Sequence, residues 1–413
     1  MRRIIIRNLG PIKDVTLDLN KINVIIGPQS SGKSTIAKVI SFCTWLDKKF
    51  SKEGLPKKNE LTDYIRELKT YHRLSNGYFN TSTQIYFIGD FIELCYNNCH
   101  PMTLTKYGFS LSELSANTAI RFEIGMRHST PIDNNSKVIY IPAERNFVSA
   151  IYNLQEYLRD EDNIQDFVLN WYEAKRRYSN ENKLNILNLG VEYYTEGEDI
   201  DKLHLQNGGD ITLQIASSGL QAVVPLITMF DYTTRGIYNE KRPMSVKERD
   251  ELIKKLNELV KEDNEKKHKI DLLIDVIGST NYRYSQIIVE EPEQNLFPLT
   301  QRDLVYYMIQ MCNDPNRNHR LTFTTHSPYI LYALNNCMMG HIVKDKIPEP
   351  ERPELISRNA WINPQLVSVW EIECGTVRSI QDRDGIVSEN YFDLNMKTLT
   401  DEYFQLLNYY DEK

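Results

Sequence analysis

Gly27-Pro28-Gln29-Ser30-Ser31-Gly32-Lys33-Ser34-Thr35 has the spacing that phosphate chemistry requires. Glycines around a four-residue gap let the backbone curl until its N–H groups converge on anionic oxygens. Lys33 is then placed to reach β- and γ-phosphates, and the Ser34 hydroxyl to hold Mg2+. The flanks agree with the loop. Ile22-Asn23-Val24-Ile25-Ile26 reads as a strand running into it, and Ile36, Val39, Ile40, Cys43 and Leu46 share one helical face after it. Such a helix points its N-terminal N–H groups at the anion. A glycine turn with an incidental lysine is the plain alternative, and it accounts for neither flank. Residues 27–35 are therefore read as binding a nucleotide, ATP with Mg2+.

Three further clusters can act on the same phosphates. The strand Ile287-Ile288-Val289 ends in Glu290-Glu291-Pro292-Glu293. Carboxylates at the tip of a buried strand are costly unless they meet a cation or accept protons. Glu290 is placed to bind Mg2+ through water, and Glu291 to polarise the water that attacks the γ-phosphate. Two exposed turn glutamates are the alternative. A second apolar strand ends in Thr324-Thr325-His326-Ser327-Pro328, where His326 can reach a γ-phosphate or can simply be a capped core histidine. Between these motifs lies Ile215-Ala216-Ser217-Ser218-Gly219-Leu220-Gln221, ahead of a helix with Val223, Val224, Leu226, Ile227 and Phe230. Ser217, Ser218, Gly219 and Gln221 form another anion-binding helix start. A second such element is redundant within one site, so the economical reading is that it caps the ATP of a partner subunit.

The elements that must position these residues follow from pattern. Residues 2–7, 14–18 and 22–26 read as a β-meander feeding the loop, and 36–49 as a helix. The polar, Tyr-rich stretch 50–136 contains a strand at Thr83–Ile88 and a helix around Gly89–Asn97. Val138–Pro142 is a short buried strand leading into Ala143-Glu144-Arg145-Asn146. Charged helices are expected over 152–182 and about 245–277, both candidate short arms without coiled-coil heptads. The C-terminal third alternates a strand at Gln286–Val289, a helix at 299–312, a strand at Arg320–Thr324 and a helix opened by Ser327-Pro328. This is an α/β chain with an N-terminal antiparallel meander and a doubly wound, mostly parallel core sheet. Its organisation is expected as the first part of a head (1–49), an insertion lobe (50–136), a core strand and loop (137–150), a helical arm (151–210), a helix after the Ser-Ser-Gly motif (211–232), a second arm (233–284) and the rest of the head (285–413).

Composition sets the outer bounds. The 413 residues are 41% hydrophobic and 25% charged, ordinary for a soluble protein. No apolar run approaches the ~20 residues of a membrane span, so no membrane role is expected. Met1-Arg2-Arg3-Ile4-Ile5-Ile6 reads as a first strand rather than a signal peptide, and a cytoplasmic location is expected. Six cysteines over this length imply reduced thiols, not a disulfide framework. Cys95-x3-Cys99-His100 lacks a second ligand pair for a metal and reads as thiols beside a loop histidine. The net charge of −7 gives no global attraction to nucleic acid. The runs Lys48-Lys49, Lys57-Lys58, Lys175-Arg176-Arg177 and Lys266-Lys267 with Lys269 read as solvated helix faces, with a DNA-facing groove as the open alternative.

Taken in order, the motifs resemble the ABC-type ATPase head shared by RecF, SMC-like proteins and OLD-like bacterial ATPases. The resemblance is closest to the small OLD-like ATPases of the AAA family in prokaryotic anti-phage defence, such as those of PARIS and Septu. It rests on Ile4-x-Ile6-Arg7-Asn8-Leu9-Gly10-Pro11-Ile12, Gly27–Thr35, Tyr140-Ile141-Pro142-Ala143-Glu144-Arg145, Ser217–Gln221, Glu290-Glu291-Pro292-Glu293 and Thr325-His326-Ser327-Pro328. The resemblance implies a P-loop ATPase that sandwiches two ATP molecules in a head-to-tail dimer. Lys33, Ser34 and Glu290 would serve the phosphates and Mg2+, Glu291 would be the general base and His326 would sense the γ-phosphate. Ser218 and Gly219 would act across the interface. Glu290, where transporters carry aspartate, matches the OLD-like subgroup. The glutamine loop of such heads has only Gln84 as a candidate, and Arg145 is either a functional arginine or part of a buried ion pair with a neighbouring helix. Asp382-Arg383-Asp384-Gly385 reads as a turn between strands 367–373 and 386–388, so no built-in nuclease is expected. The implied function is ATP-dependent dimerisation that gates a separate effector in defence. A RecF-like DNA clamp, and a slow sensor scaffold working through 50–136, are the alternatives.

Overall fold

β3 (Ile22–Ile26) is buried along its whole length, which requires cover on both faces. Ile22, Val24 and Ile26 enter one hydrophobic core and Ile25 the other, the two-residue alternation of a pleated strand. The computed structural model describes residues 2–54, 61–97, 103–105, 108–110, 121–126, 135–151, 162–197, 200–239 and 282–410.

Eleven strands of the described residues share one sheet around β3. On one side lie β15 (Arg320–Thr324), β14 (Tyr284–Glu290) and β9 (Ser136–Ile141), all parallel to it in turn. On the other side β16 (Val367–Glu373) is also parallel, and a hairpin joins it to β17 (Thr376–Ser379). Beyond β17 the sheet turns largely antiparallel, through β2 (Ile12–Leu19), β1 (Arg2–Leu9), β4 (Phe79–Ile88), β5 (Ile92–Asn97) and β8 (Arg121–Met126). β6 (Thr103–Thr105) and β7 (Gly108–Ser110) form a separate small hairpin. The α/β class and the mostly parallel core expected from sequence are what the chain adopts.

Helices cover both faces. α1 (Lys33–Glu53) runs across β9, β14 and β15, where Ala37 packs with Tyr140 and Ile288, and carries Ile36, Val39, Ile40, Cys43 and Leu46 into the cluster formed with β1, β2, β4, β5 and α2 (Leu61–Tyr71). The opposite face is covered by α4 (Asn163–Lys175), α5 (Ser218–Asp231), α7 (Pro298–Cys312) and α8 (Pro328–Val343). The short α3 (Phe147–Ala150) and α6 (Ile237–Asn239) flank α5, and α9 (Tyr391–Leu407) closes the described chain. No described helix is long and apolar enough to cross a membrane.

Several local expectations change. β1 and β2 pair as a hairpin, with Ile4 opposite Leu17, but β3 leaves them and sits between β15 and β16. A strand apolar on both faces is stable only at the centre of the sheet, whereas β1 and β2 alternate buried and exposed positions. The helix expected around Gly89–Asn97 is instead the turn into β5. The Asp47 carboxylate of α1 accepts from the N–H groups of Asp90, Phe91 and Ile92 at 3.0, 2.9 and 2.8 Å and fixes that turn. The alternation of Ile92, Leu94 and Tyr96 then marks a strand, and β4 and β5 extend the main sheet.

Of the helical run expected over 152–182, the described residues show α4, which Asp162 caps by accepting from Ile164 and Gln165; residues 152–161 lie outside the described residues. Where the arm was expected to continue, β10 (Leu184–Asn185), β11 (Val191–Glu196), β12 (Ile200–Leu205) and β13 (Asp210–Thr212) form a four-stranded antiparallel sheet. The helix expected at 245–277, and the pair Cys99 and His100, also lie outside the described residues. Asp382–Gly385 is a turn, closed by Gly385 N–H on the Asp382 carbonyl at 3.1 Å, but it follows β17 and spans only a single bridge between Gln381 and Val387.

Candidate nucleotide site

Parallel register decides which residues meet. Thr324 stands opposite both Ile25 and Glu290, so the chain leaves β3, β14 and β15 at one edge of the sheet, where open α/β sheets bind ligands. At that edge Gly27 adopts φ 148°, and a Cβ there would lie 2.7 Å from the Ile372 carbonyl oxygen of β16. Only glycine fits. Gly32, at φ 103°, is the N-cap of α1, which has no side-chain cap and no acidic residue in its first turn. Its leading N–H groups therefore face the loop with nothing supplied by the helix itself. The Ser31 hydroxyl is buried without a hydrogen-bond partner. These are the features of a cradle built for an anion.

Lys33 arcs back over the loop and donates to the carbonyls of Gly27 at 2.9 Å and Pro28 at 2.7 Å. Burial lowers its pKa to about 8, against the pull of Glu291 and Glu293. Glu290 is 5% exposed at the end of β14. Its carboxylate accepts from the Tyr140 hydroxyl of β9 and bonds the Ser34 side chain. Burial raises the Glu290 pKa, and Tyr140, Lys38 and Ser34 oppose that rise. The two residues expected to serve Mg2+ thus come together, one from the start of α1 and one from the tip of β14. A hydroxyl beside a buried carboxylate suits a hard divalent cation that keeps much of its water.

Glu291, half-buried, takes φ 42°, held by its N–H donating to the Thr324 carbonyl at 3.1 Å. Its Oε1 lies 3.3 Å from His326 Nε2. The His326 contact holds the Glu291 pKa below the ordinary carboxylate value despite burial, with help from Lys33 and Arg145. A carboxylate kept ionised near a phosphate cradle can accept a proton from water.

Two supporting residues carry more of the site than sequence indicated. Glu293 Oε1 accepts the His326 N–H at 2.5 Å, and burial raises its pKa. It is the last carboxylate of the strand-end motif, and its position one residue past Pro292 was the available signal. Arg145 is fully buried, and every hydrogen bond its guanidinium makes goes to a main-chain carbonyl. It contacts the neighbouring helix α5 at the Ala222 carbonyl, so the expected ion pair is a carbonyl clamp.

Ser217 and Ser218 are exposed. The Ser217 hydroxyl caps α5 by accepting from Leu220 N–H at 3.5 Å. A Cβ on Gly219 would lie 3.0 Å from the Asn295 carbonyl oxygen, so the motif presses on the turn after Glu293 rather than on the phosphate loop. Gln221 faces inward, donating to the Gln214 carbonyl at 2.7 Å, and so braces its own loop. Ile215 and Phe297 beside the motif are 75% and 70% exposed. Gln84 lies in β4 opposite Arg7, with its Oε1 3.5 Å from Arg7 Nη1. Among the described residues no three His, Cys, Asp or Glu side chains cluster as a metal site.

A family model described as an AAA domain matches residues 3–296. Among solved structures, the SMC head domain from Thermotoga maritima is similar at 10% identity, covering 92% of this chain and 97% of that one with a TM-score of 0.38. The Smc head with extended coiled coil from Pyrococcus furiosus, bound to a ScpA domain, gives 9%, 98%, 100% and 0.37. A dimeric ATP-binding cassette bound to ADP and phosphate gives 10%, 91%, 97% and 0.30. Likenesses this distant assign no residue a role. No curated protein matches the chain.

Proposed function

The chain belongs to the AAA-domain family, and from that membership we propose that it binds and hydrolyses ATP with Mg2+ in a site completed by a second copy of itself. The observation that carries this reading is the convergence, at the mouth of one glycine loop, of Ser34 with Glu290 and of Glu291 with His326. The loop N–H groups and Lys33 would bind the phosphates, Lys33 exchanging the Gly27 and Pro28 carbonyls for phosphate oxygens. Ser34 and Glu290 would hold Mg2+, which neutralises phosphate charge when bound. Glu291 would orient a water in line with the γ-phosphate and accept its proton, while His326 fixes the carboxylate. The exposure of Ser217 and Ser218 supports their docking on the nucleotide of a second copy.

Replacing Glu291→Gln is expected to lower turnover by ~10²–10⁴-fold and to accumulate ATP-bound dimers, while Lys33→Ala loses nucleotide. Parent-rate hydrolysis in both variants would remove the assignment. The motif resemblance to OLD-like defence ATPases extends the proposal to gating of a separate effector. A neighbouring gene product that binds the ATP-loaded pair and not the free chain would be that effector, and equal binding to both forms would refute gating.

A second reading, a DNA clamp, has one observation in its favour. The ammonium groups of Lys48, Lys52 and Lys137 gather around the Tyr282 ring at 4.9, 5.9 and 5.8 Å from its centre. Cations interleaved with an aromatic suit a polyanion. ATP-dependent duplex retention that weakens steeply with salt is its signature; none at low salt would remove it.

A further inference from the structure

We infer that Arg145 couples the two ends of this site, passing the docking of Ser217–Gly219 on a second copy to the catalytic glutamate of its own chain. The inference rests on the ATPase reading above and names how that site is regulated.

The guanidinium is inaccessible, and its donors are used up. Nε donates to the Ala222 carbonyl at 3.2 Å, Nη1 to Pro142 at 3.4 Å and Glu290 at 2.9 Å, and Nη2 to Glu291 at 2.9 Å and Pro292 at 3.1 Å. Guanidinium carries five N–H groups in a rigid fork, so this contact fixes the relative position of five peptide units. None of its acceptors is a carboxylate. A buried cation that spends its whole capacity on main chain is placed for geometry rather than for charge pairing.

What it joins is specific. Three acceptors are the consecutive carbonyls of Glu290, Glu291 and Pro292, which include the left-handed Glu291. Such a conformation persists only where its surroundings over-determine it. Another acceptor, Ala222, is the fifth residue of α5, one turn on from Ser218. The same segment ties that turn a second time, through the Ser149 hydroxyl donating to the Gln221 carbonyl at 3.0 Å. On the outer side Gly219 abuts Asn295 so closely that no Cβ fits without a shift. The start of α5 is therefore held between the 143–150 segment and the turn that follows the catalytic strand. A displacement of its tip on docking must be shared with the carbonyl of Glu291. That is a continuous, rigid connection of the kind that carries coupling.

Arg145→Lys keeps the charge and loses the fork, and Ser149→Ala removes the second tie with little risk to folding. For the full chain, three quantities separate coupling from mere support: affinity for a fluorescent nonhydrolysable ATP analogue, pairing with that analogue by sedimentation, and turnover per head against protein concentration. In the parent, turnover per head rises with concentration as heads pair. Arg145→Lys is expected to bind and pair within ~2-fold of the parent yet to stay flat, about 100-fold below the paired parent rate, the loss a ~1 Å misplacement brings. Ser149→Ala is expected to bind and pair equally and to lose part of the rise; it decides the matter if Arg145→Lys does not fold. A full rise in either folded variant overturns the inference, as does loss of nucleotide affinity in parallel with melting temperature. A parent that neither hydrolyses ATP nor pairs fails the site reading itself, and the coupling role falls with it.

Discussion

Lys33 shows how much a single position carries. Its loop was legible as a phosphate cradle because glycine, lysine and serine at that spacing have few other uses. What the spacing did not contain is that the amine is buried against its own loop carbonyls and titrates near pH 8. Below that pH the free protein holds the charge; above it the amine is neutral, and an arriving triphosphate raises its pKa again. Nucleotide binding is therefore expected to take up a proton between about pH 8 and the ordinary lysine value, with affinity falling by up to ~10-fold per pH unit. Calorimetry at pH 9 in two buffers of different ionisation enthalpy checks this, and equal apparent heats would contradict it. Glu290 and His326 were likewise visible from the ends of apolar strands. The role of Glu293 was not, because its partner is a backbone N–H donated from the loop after β15.

At the scale of elements, periodicity identified the strands and helices that are covered on a fixed face and failed where a tertiary contact chose the conformation. Residues 89–97 hold apolar side chains at spacings that satisfy both a helix and a strand, and Asp47 breaks the tie by accepting three successive N–H groups at the turn. Asp47→Ala would leave those donors buried without an acceptor. It is expected to destabilise the chain by on the order of 3 kcal/mol, read from the midpoint of chemical denaturation, with the β4–β5 edge losing hydrogen-exchange protection before the parallel core. An unchanged midpoint would show that the turn does not depend on this carboxylate. The sheet at 184–212 was missed for a related reason. Its strands are short, and their apolar residues join the core beside α4, Tyr193 packing on Trp171.

For the whole molecule, the test of the proposed pairing lies in a surface. Ser217 and Ser218 are exposed, as are Ile215 and Phe297. Ser218→Arg puts a long cation where a second copy's nucleotide would dock. It is expected to abolish analogue-driven pairing and most turnover while leaving nucleotide affinity of the single chain within ~2-fold, because the cradle is untouched. Normal pairing in this variant, read by sedimentation, would move the interface elsewhere.

The sequence alone placed the glycine loop, the paired glutamates and His326 at strand ends and a helix start, because such motifs are set by neighbours a few residues away. It also determined the α/β class, through apolar runs that demand cover on both faces. The tertiary structure decided the order of strands, which brings the ends of β3, β14 and β15 to one edge. It decided that Arg145 clamps carbonyls far apart in the chain, and that 89–97 is extended. Those outcomes depend on contacts between distant segments, and local pattern holds no record of which partner a buried donor will find.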